Sequence, residues 1–306
     1  MLITLVDRGH WHAAMYLEAF QAAGQPISVV VKGARHTLDA VLAEAPELLV
    51  LLGPPQLMLR DLRRCTEAGL PVAVEKPVGR NAGELAPLAE WAAGRGGAFV
   101  SVAQPHLLNR FWEVCTEEAG GPLSHLRFRL VNGSPQRYVQ MGVPWVLGAE
   151  QAGGGVLRNL GIHGISAFLK ATSGEARVHS CVLSRRLYRT EAEEYASVVL
   201  SAGGVIGHVE VGYTAALDSA SEFELTGHRR DLTVRDDGQR LEMLDRRAGR
   251  TRVQPVLPLA RRYEQFAAAT LQALEGGQPP PHSLADHLKA MQVIDECYAL
   301  ATWVDA

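Results

Sequence analysis

From the N-terminus to about Ala103, short apolar runs alternate with longer segments of helical period, and this alternation constrains the fold more than any other feature. Leu2–Val6, Ile27–Val31, Leu48–Leu52, Val72–Val74 and Phe99–Val102 are leucine-rich or β-branched runs bounded by glycine, proline or charge. Strands buried on both faces read this way. Between them, Ala13–Ala23, Leu38–Ala43, Leu57–Ala68 and Ala82–Ala93 each set an apolar face at three- and four-residue spacing, which predicts helices. Parallel strands need a covering crossover, so the pattern implies a parallel sheet with helices on both faces.

After about Leu107 the grammar changes. A helical piece to Glu118 ends at Gly120-Gly121-Pro122, and strand patterns then follow in close succession at Leu123–Val131, Ala176–Leu187, Tyr195–Ser201, Val205–Tyr213, Glu222–Thr226, Asp231–Val234 and Leu241–Leu244. Turn signals such as Ala202-Gly203-Gly204 and Asp236-Asp237-Gly238 join several of them, which predicts a large, mainly antiparallel sheet. Helices are predicted over Ala260–Glu275 and Ser283–Trp303, the second with Ser283 as N-cap. The expected fold class is α/β, with a dinucleotide-binding domain over residues 1–104 and an α/β domain built on an open sheet over residues 105–306. A chain of 306 residues is long enough to divide in this way.

Apolar residues make up 47% of the chain and charged residues 21%, as in folded globular proteins. A net charge of −3 offers no basic excess to a phosphate backbone, so nucleic acid is not an expected partner. No signal-peptide pattern and no apolar run of membrane-spanning length is present, and membrane is excluded in the same way. Cys65, Cys115, Cys181 and Cys297 lie far apart and read as reduced thiols of a cytoplasmic protein. The histidines make no H-x-x-x-H or H-E-x-x-H helix face, so no metal site is expected.

The first strand-to-helix turn, Val6-Asp7-Arg8-Gly9-His10-Trp11-His12, stands where a dinucleotide-binding protein carries G-x-G-x-x-G. Glycines there permit close backbone approach to a pyrophosphate lying at a helix N-terminus. Gly9 fits the middle position, Asp7 stands at the first and His12 at the third. Two readings of Asp7 remain: a carboxylate that repels a diphosphate unless Arg8, His10 or a bound cation offsets it, or an ordinary turn in which Asp7 caps the next helix. Gly9, His10, Trp11 and His12 are the cofactor-contact candidates of this turn. The second strand ends in Val31-Lys32-Gly33-Ala34-Arg35, without the acidic residue that binds the ribose of NAD. Lys32 and Arg35 suit the 2′-phosphate of NADP, or form a solvated basic loop. Gly53-Pro54-Pro55 ends the third strand and Glu75-Lys76-Pro77 the fourth, where a parallel sheet presents its carboxyl edge to ligands. A lysine so placed can polarise or protonate a substrate oxygen.

Glu75-Lys76-Pro77, the Pro54-Pro55 turn, the approach Thr66-Glu67-Ala68-Gly69-Leu70-Pro71-Val72, the segment Gly153-Gly154-Gly155-Val156-Leu157-Arg158-Asn159-Leu160-Gly161-Ile162-His163 and the closing Ser283-Leu284-Ala285-Asp286 together resemble the Gfo/Idh/MocA family. The resemblance runs over nearly the whole chain. It implies a Rossmann domain followed by a domain with an open sheet, and NAD(P)-linked oxidation or reduction of a sugar, polyol or related carbonyl compound. It implies further that Lys76 touches both cofactor and substrate, that Glu75 belongs to the cofactor side, and that His163 stands at the reacting carbon. Asn159 occupies the position of the family's aspartate. An amide orients a hydroxyl but takes up no proton at neutral pH, so proton transfer falls to His163 with help from Lys76. Gln104, after the fifth strand, is the cofactor-side candidate there, and His106 a substrate-side one.

The function these residues imply is a cytoplasmic NAD(P)-dependent oxidoreductase acting on CH-OH groups of a small-molecule substrate, with Lys76, His163 and Asn159 as catalytic residues and NADP favoured over NAD. Asp7, the missing ribose acid and Asn159 support an alternative, an altered or inactive member that binds a nucleotide or sugar as a regulator. Tyr138 and Trp145, with Arg137, form a loop suited to stacking on a sugar or to packing as a closed loop. An open sheet uncovered on one face would leave a large apolar patch, rare on monomers, and is expected to bury that face against another subunit, giving a homodimer or homotetramer.

Overall fold

The computed structural model describes residues 1–23, 37–94, 97–116, 121–214 and 221–304, and the backbone of 27–31. Contacts divide the chain into two compact units. The first comprises Met1–Pro105, Tyr138–Gly153 and Ala260–Met291, and the second His106–Arg137, Gly154–Leu259 and Gln292–Ala306.

The chain opens with β1 (Ile3–Asp7), α1 (Ala13–Ala22), β2 (Ile27–Val31), α2 (Leu38–Ala43), β3 (Leu48–Leu52), α3 (Pro55–Glu67), β4 (Val72–Val74), α4 (Ala82–Gly94) and β5 (Val100–Val102). The five strands make one parallel sheet in the order β2-β1-β3-β4-β5. Every residue of β1, β3, β4 and β5 is buried, which is why these strands read as continuous apolar runs. The order reverses between β1 and β3, and ligands of open α/β sheets sit at the carboxyl ends beside such a switch. Asp7 ends β1, Gly53 follows β3 and Glu75 follows β4, so the sequence candidates lie on that edge.

Beyond β5 come α5 (Arg110–Thr116), β6 (Leu123–Asn132), α6 (Gln136–Gln140), α7 (Ala149–Ala152), a π-helical turn (Leu157–Gly161), α8 (Ile162–Ala171), β7 (Arg177–Ser184), β8 (Tyr195–Ala202), β9 (Val205–Gly212), β10 (Ser221–Arg229), β11 (Leu232–Asp236), β12 (Arg240–Asp245), β13 (Arg250–Pro255), α9 (Leu259–Glu275), α10 (Leu284–Leu300) and β14 (Thr302–Trp303). In the first unit, α9 buries Tyr263, Phe266, Ala267, Thr270 and Leu271, one stripe of helical period. Its Tyr263 meets Tyr16 of α1 edge to face at 5.2 Å, and its Thr270 shares a hydroxyl hydrogen bond of 2.9 Å with Ser101 of β5.

The second unit is a nine-stranded mixed sheet in the order β13-β12-β11-β10-β6-β9-β8-β7-β14. Among the described residues only β6–β9 and β7–β14 pair in parallel, and the other neighbours run antiparallel. Two of its strands lie outside the sequence reading. β13 is exposed nearly throughout, with Val253 as its one branched aliphatic side chain and no buried alternation, and the helix predicted through Trp303 ends at Leu300 because Thr302–Trp303 pair with β7. Ser283 caps α10 as predicted, its Oγ accepting from the Asp286 N–H at 3.1 Å while the Asp286 carboxylate accepts in return.

One sheet face is built from Leu126, Phe128, Leu130, Val198, Leu200, Val209 and Val211, all buried. α8 lies against it so closely that a Cβ on Gly164 would fall 2.6 Å from Phe128 Cδ1 and 2.8 Å from Val209 Cγ1. The opposite face corrects the expectation of an apolar patch awaiting a partner. Its centre is an ion network in which Arg127 and Arg129 reach Glu210 at 3.3 and 3.1 Å, and Arg235 reaches Glu224 at 2.8 Å. Alternation along β6 and β9 puts charge on that face for the same reason that it puts Phe128 and Val209 on the other. The α8 contact yields a stability prediction. Gly164→Ala should destabilise the chain by about 1–3 kcal/mol through overpacking, read as a lowered thermal unfolding midpoint, and an unchanged midpoint would show that α8 shifts without cost.

Candidate functional site

The first βα turn is folded around its own carboxylate. Asp7 is buried, and its Oδ1 accepts from the backbone N–H groups of Gly9 and His10, each at 2.8 Å. These are the amides that a glycine turn would otherwise offer to a pyrophosphate. Asp7 therefore caps the turn and not α1, whose N-cap is His12. Gly9 has φ +93, a backbone conformation that glycine adopts at no steric cost. The turn is tied to the end of β3 by the Arg8 N–H donating to the Leu52 carbonyl at 2.7 Å. Glycine is required at position 53, where a Cβ would lie 2.5 Å from that of Arg8.

Neither neighbour offsets the Asp7 charge. The Arg8 guanidinium pairs with buried Asp61 of α3 at 2.9 Å. His10 is buried, and desolvation, with smaller contributions from His12 and Lys76 against the opposing pull of Glu75, pushes its pKa down to about 3. It is neutral at physiological pH. Its ring stacks on Trp11 with centroids 4.0 Å apart, and its Nδ1 accepts from the His12 N–H at 3.2 Å.

The end of β4 meets this turn. Glu75 is fully buried, and its Oε1 lies 2.8 Å from His12 Nδ1 and accepts from the Tyr263 hydroxyl at 3.2 Å. Its Oε2 accepts from the Lys76 N–H at 2.6 Å. Burial alone would raise the Glu75 pKa, but the His12 hydrogen bond and the fields of His10, His12 and Lys76 outweigh it and hold the carboxyl at about 2. Lys76 is buried as well; desolvation lowers its pKa and Glu75 opposes that shift. The Lys76–Pro77 peptide is cis. Pro54 and Pro55 open α3, and Gln104 follows β5, buried.

Aromatic side chains cover the turn. Trp145 donates its indole N–H to the Gly9 carbonyl at 3.3 Å, and Tyr138 meets Trp11 edge to face at 5.3 Å. The loop singled out for sugar stacking thus contributes Tyr138 and Trp145 to the first unit, packed on the glycine turn. Lys32 and Arg35 lie outside the described residues.

His163 and Asn159 belong to the second unit, and both are buried. His163 meets His106 edge to face with ring centroids 4.7 Å apart, and His106 stacks on Phe223 at 5.2 Å. The amide of Asn159 donates to the Tyr213 hydroxyl at 2.9 Å, which fixes its rotation. Glu193 organises the segment before it, its Oε1 accepting from the N–H groups of Gly155 and Leu157 at 3.0 and 2.9 Å and from the Tyr298 hydroxyl at 2.7 Å. Gly155 has no room for a side chain, since a Cβ would fall 2.1 Å from the Glu193 carbonyl oxygen. Tyr213, Glu193 and Tyr263 were not legible as site residues. Tyr213 reads as the end of a strand, Glu193 as a loop acid, and Tyr263 lies 251 positions from the histidine that it touches.

No curated protein matches the sequence. Residues 110–233 match the GFO/IDH/MocA C-terminal domain. Among solved structures, the chain is similar to GenD2 from gentamicin A biosynthesis, in complex with NAD, at 18% identity and TM-score 0.78 over 98% of this chain and 93% of that one. It is similar to a levoglucosan dehydrogenase in complex with NADH and levoglucosan, at 16% identity and TM-score 0.81 over 98% and 97% of the two chains. It is also similar to biliverdin reductase from Synechocystis sp. PCC 6803 in complex with biliverdin and NADP+, at 19% identity and TM-score 0.74 over 98% of each. Over residues 110–233 the chain resembles the GFO/IDH/MocA C-terminal domain, and along 98% of its length it shares the fold of these solved structures.

Proposed function

We propose that the protein is an NAD(P)-dependent oxidoreductase acting on a hydroxyl or carbonyl carbon of a sugar, polyol or related small molecule. The observation that carries the reading is the buried Lys76 at the carboxyl edge of a parallel sheet, beside the β1/β3 switch point. Gly9 leaves open space where a side chain would stand, Gly53 admits the close packing of Arg8 with Pro54 and Pro55 beyond it, and Glu75 and Gln104 complete the cofactor side. A nicotinamide supplies or takes up the hydride when bound. Lys76 donates a hydrogen bond to the substrate oxygen, His163 takes the hydroxyl proton in oxidation and returns it in reduction, and Asn159, held by Tyr213, orients the substrate. Four free, buried cysteines fit the cytoplasmic location that we assign to it.

A second reading, a nucleotide- or sugar-binding regulator, is favoured by Asp7, whose carboxylate already holds the amides that a diphosphate would use. Calorimetric titration with NAD, NADH, NADP and NADPH separates the two. We expect both reduced cofactors to bind weakly, NADPH the more tightly, with quenching of Trp11 emission. Asp7→Gly should strengthen both by about tenfold or more, since it removes a repelling charge and frees two N–H donors. Lys32→Ala should weaken NADPH more than NADH, because only NADPH carries a 2′-phosphate. If neither cofactor binds the wild type at about millimolar concentration while Asp7→Gly binds one, the regulator reading replaces the enzyme reading.

On the first sugar or polyol that turns over, Lys76→Ala should lower kcat by about 10²–10⁴ with Lys76→Arg recovering part of it, and an unchanged kcat would remove Lys76 from the mechanism. A homodimer formed through the sheet would use the ion network of Arg127, Arg129 and Glu210. Such a dimer, seen by sedimentation velocity at low ionic strength, should dissociate as salt rises towards about 1 M, and a monomer at every salt concentration would refute it.

A further inference from the structure

The first unit gathers more metal-ligating groups at one point than nicotinamide chemistry uses. One ligand atom each from His10, His12 and Glu75 lie within 4.8 Å of one another. Glu75 Oε1 is 2.8 Å from His12 Nδ1, and the Tyr263 hydroxyl is 2.9 Å from that nitrogen and 3.2 Å from that oxygen. The imidazoles of His10 and His12 face each other edge to face, with centroids 5.1 Å apart. His10 and Glu75 are buried and His12 is mostly so, so their donor atoms have few alternative water partners.

We propose that His10, His12 and Glu75 form a binding site for a single divalent transition-metal ion of the zinc class. Two imidazoles and one carboxylate are a three-ligand zinc set that leaves a fourth position open, and here the Tyr263 hydroxyl borders that position. Ligand atoms around a tetrahedral zinc lie about 3.3 Å apart for bonds of about 2.0 Å, within the span that these three groups already keep. Imidazole donors select zinc, copper, nickel or iron, whereas magnesium prefers an all-oxygen shell, so magnesium is not the occupant. The linear sequence carries no metal signature because His10 and His12 are two apart in a turn and the third ligand comes from the end of β4, 63 positions after His12.

The test uses the full chain, stripped of metal with a chelator and free of cofactor, so that its outcome is independent of nucleotide binding. Calorimetric titration with zinc chloride should show one ion per chain with a Kd at or below about 1 μM, while magnesium chloride gives no heat of binding at that concentration. Cobalt(II) in place of zinc should give the visible absorption of a four- or five-coordinate ion and quench Trp11, whose ring stacks on His10 at 4.0 Å. His12→Asn and Glu75→Gln should each weaken zinc by about 100-fold or more, and Tyr263→Phe by at most about tenfold. Should Glu75→Gln fail to fold by circular dichroism, His10→Gln, in the turn, serves as the second ligand variant with the same expected loss. A wild-type chain that takes up no zinc, or a single zinc that His10→Gln and His12→Asn both leave at full affinity, overturns the site.

Discussion

A carboxylate with no access to water must be paired and hydrogen-bonded or lose its charge, and Glu75 at the end of β4 is held under that constraint. Its partners come from three places in the first unit: His12 from the first turn, Tyr263 from α9 and the Lys76 N–H from its own strand end. The hydrogen bonds of this one side chain therefore fix where the turn, the helix and the lysine sit relative to the sheet edge. Removing it would take an acceptor from the buried Lys76 N–H and leave the His12–Tyr263 contact without its anchor, a larger cost than the loss of an ordinary surface pair.

The same device recurs wherever backbone amides converge. Asp7 closes the first turn by accepting from Gly9 and His10, and Glu193 in the second unit accepts from Gly155 and Leu157 ahead of Asn159. The chemical consequences differ. At Gly155 the carboxylate holds rigid the segment that carries Asn159 and His163, whereas at Gly9 it occupies donors that a dinucleotide would want. Gly53 makes room for Arg8 beside the first turn, and the turn itself is self-satisfied. Trp145 and Tyr138 reinforce that closure from a segment far along the chain.

Most of the fold was legible because burial writes itself into periodicity. The runs at Leu48–Leu52 and Val72–Val74 are buried on both faces and read as apolar throughout. The alternation along β6 and β9 announces one covered and one exposed face. β13 was missed because an exposed edge strand bears no such imprint, and the end of α10 because two residues of β14 are fixed by pairing with β7 and not by their own pattern. The charged face of the large sheet was misjudged for a related reason. An uncovered face was inferred from topology, and its composition follows from residues such as Arg127, Arg129 and Glu210 whose cross-strand pairing appears only once the register is known.

The sequence by itself determined the parallel sheet, the sheet-rich second half and the strand ends on which Gly53, Glu75 and Lys76 stand. These follow from local spacing, which needs no knowledge of distant partners. Only the tertiary structure decided what those residues face. Asp7 turned inward onto its own turn, His12 met Glu75 and Tyr263, and Asn159 met Tyr213. Hydrogen bonds between side chains 54 to 251 positions apart are selected by packing geometry, and nothing in the local pattern around either partner encodes them.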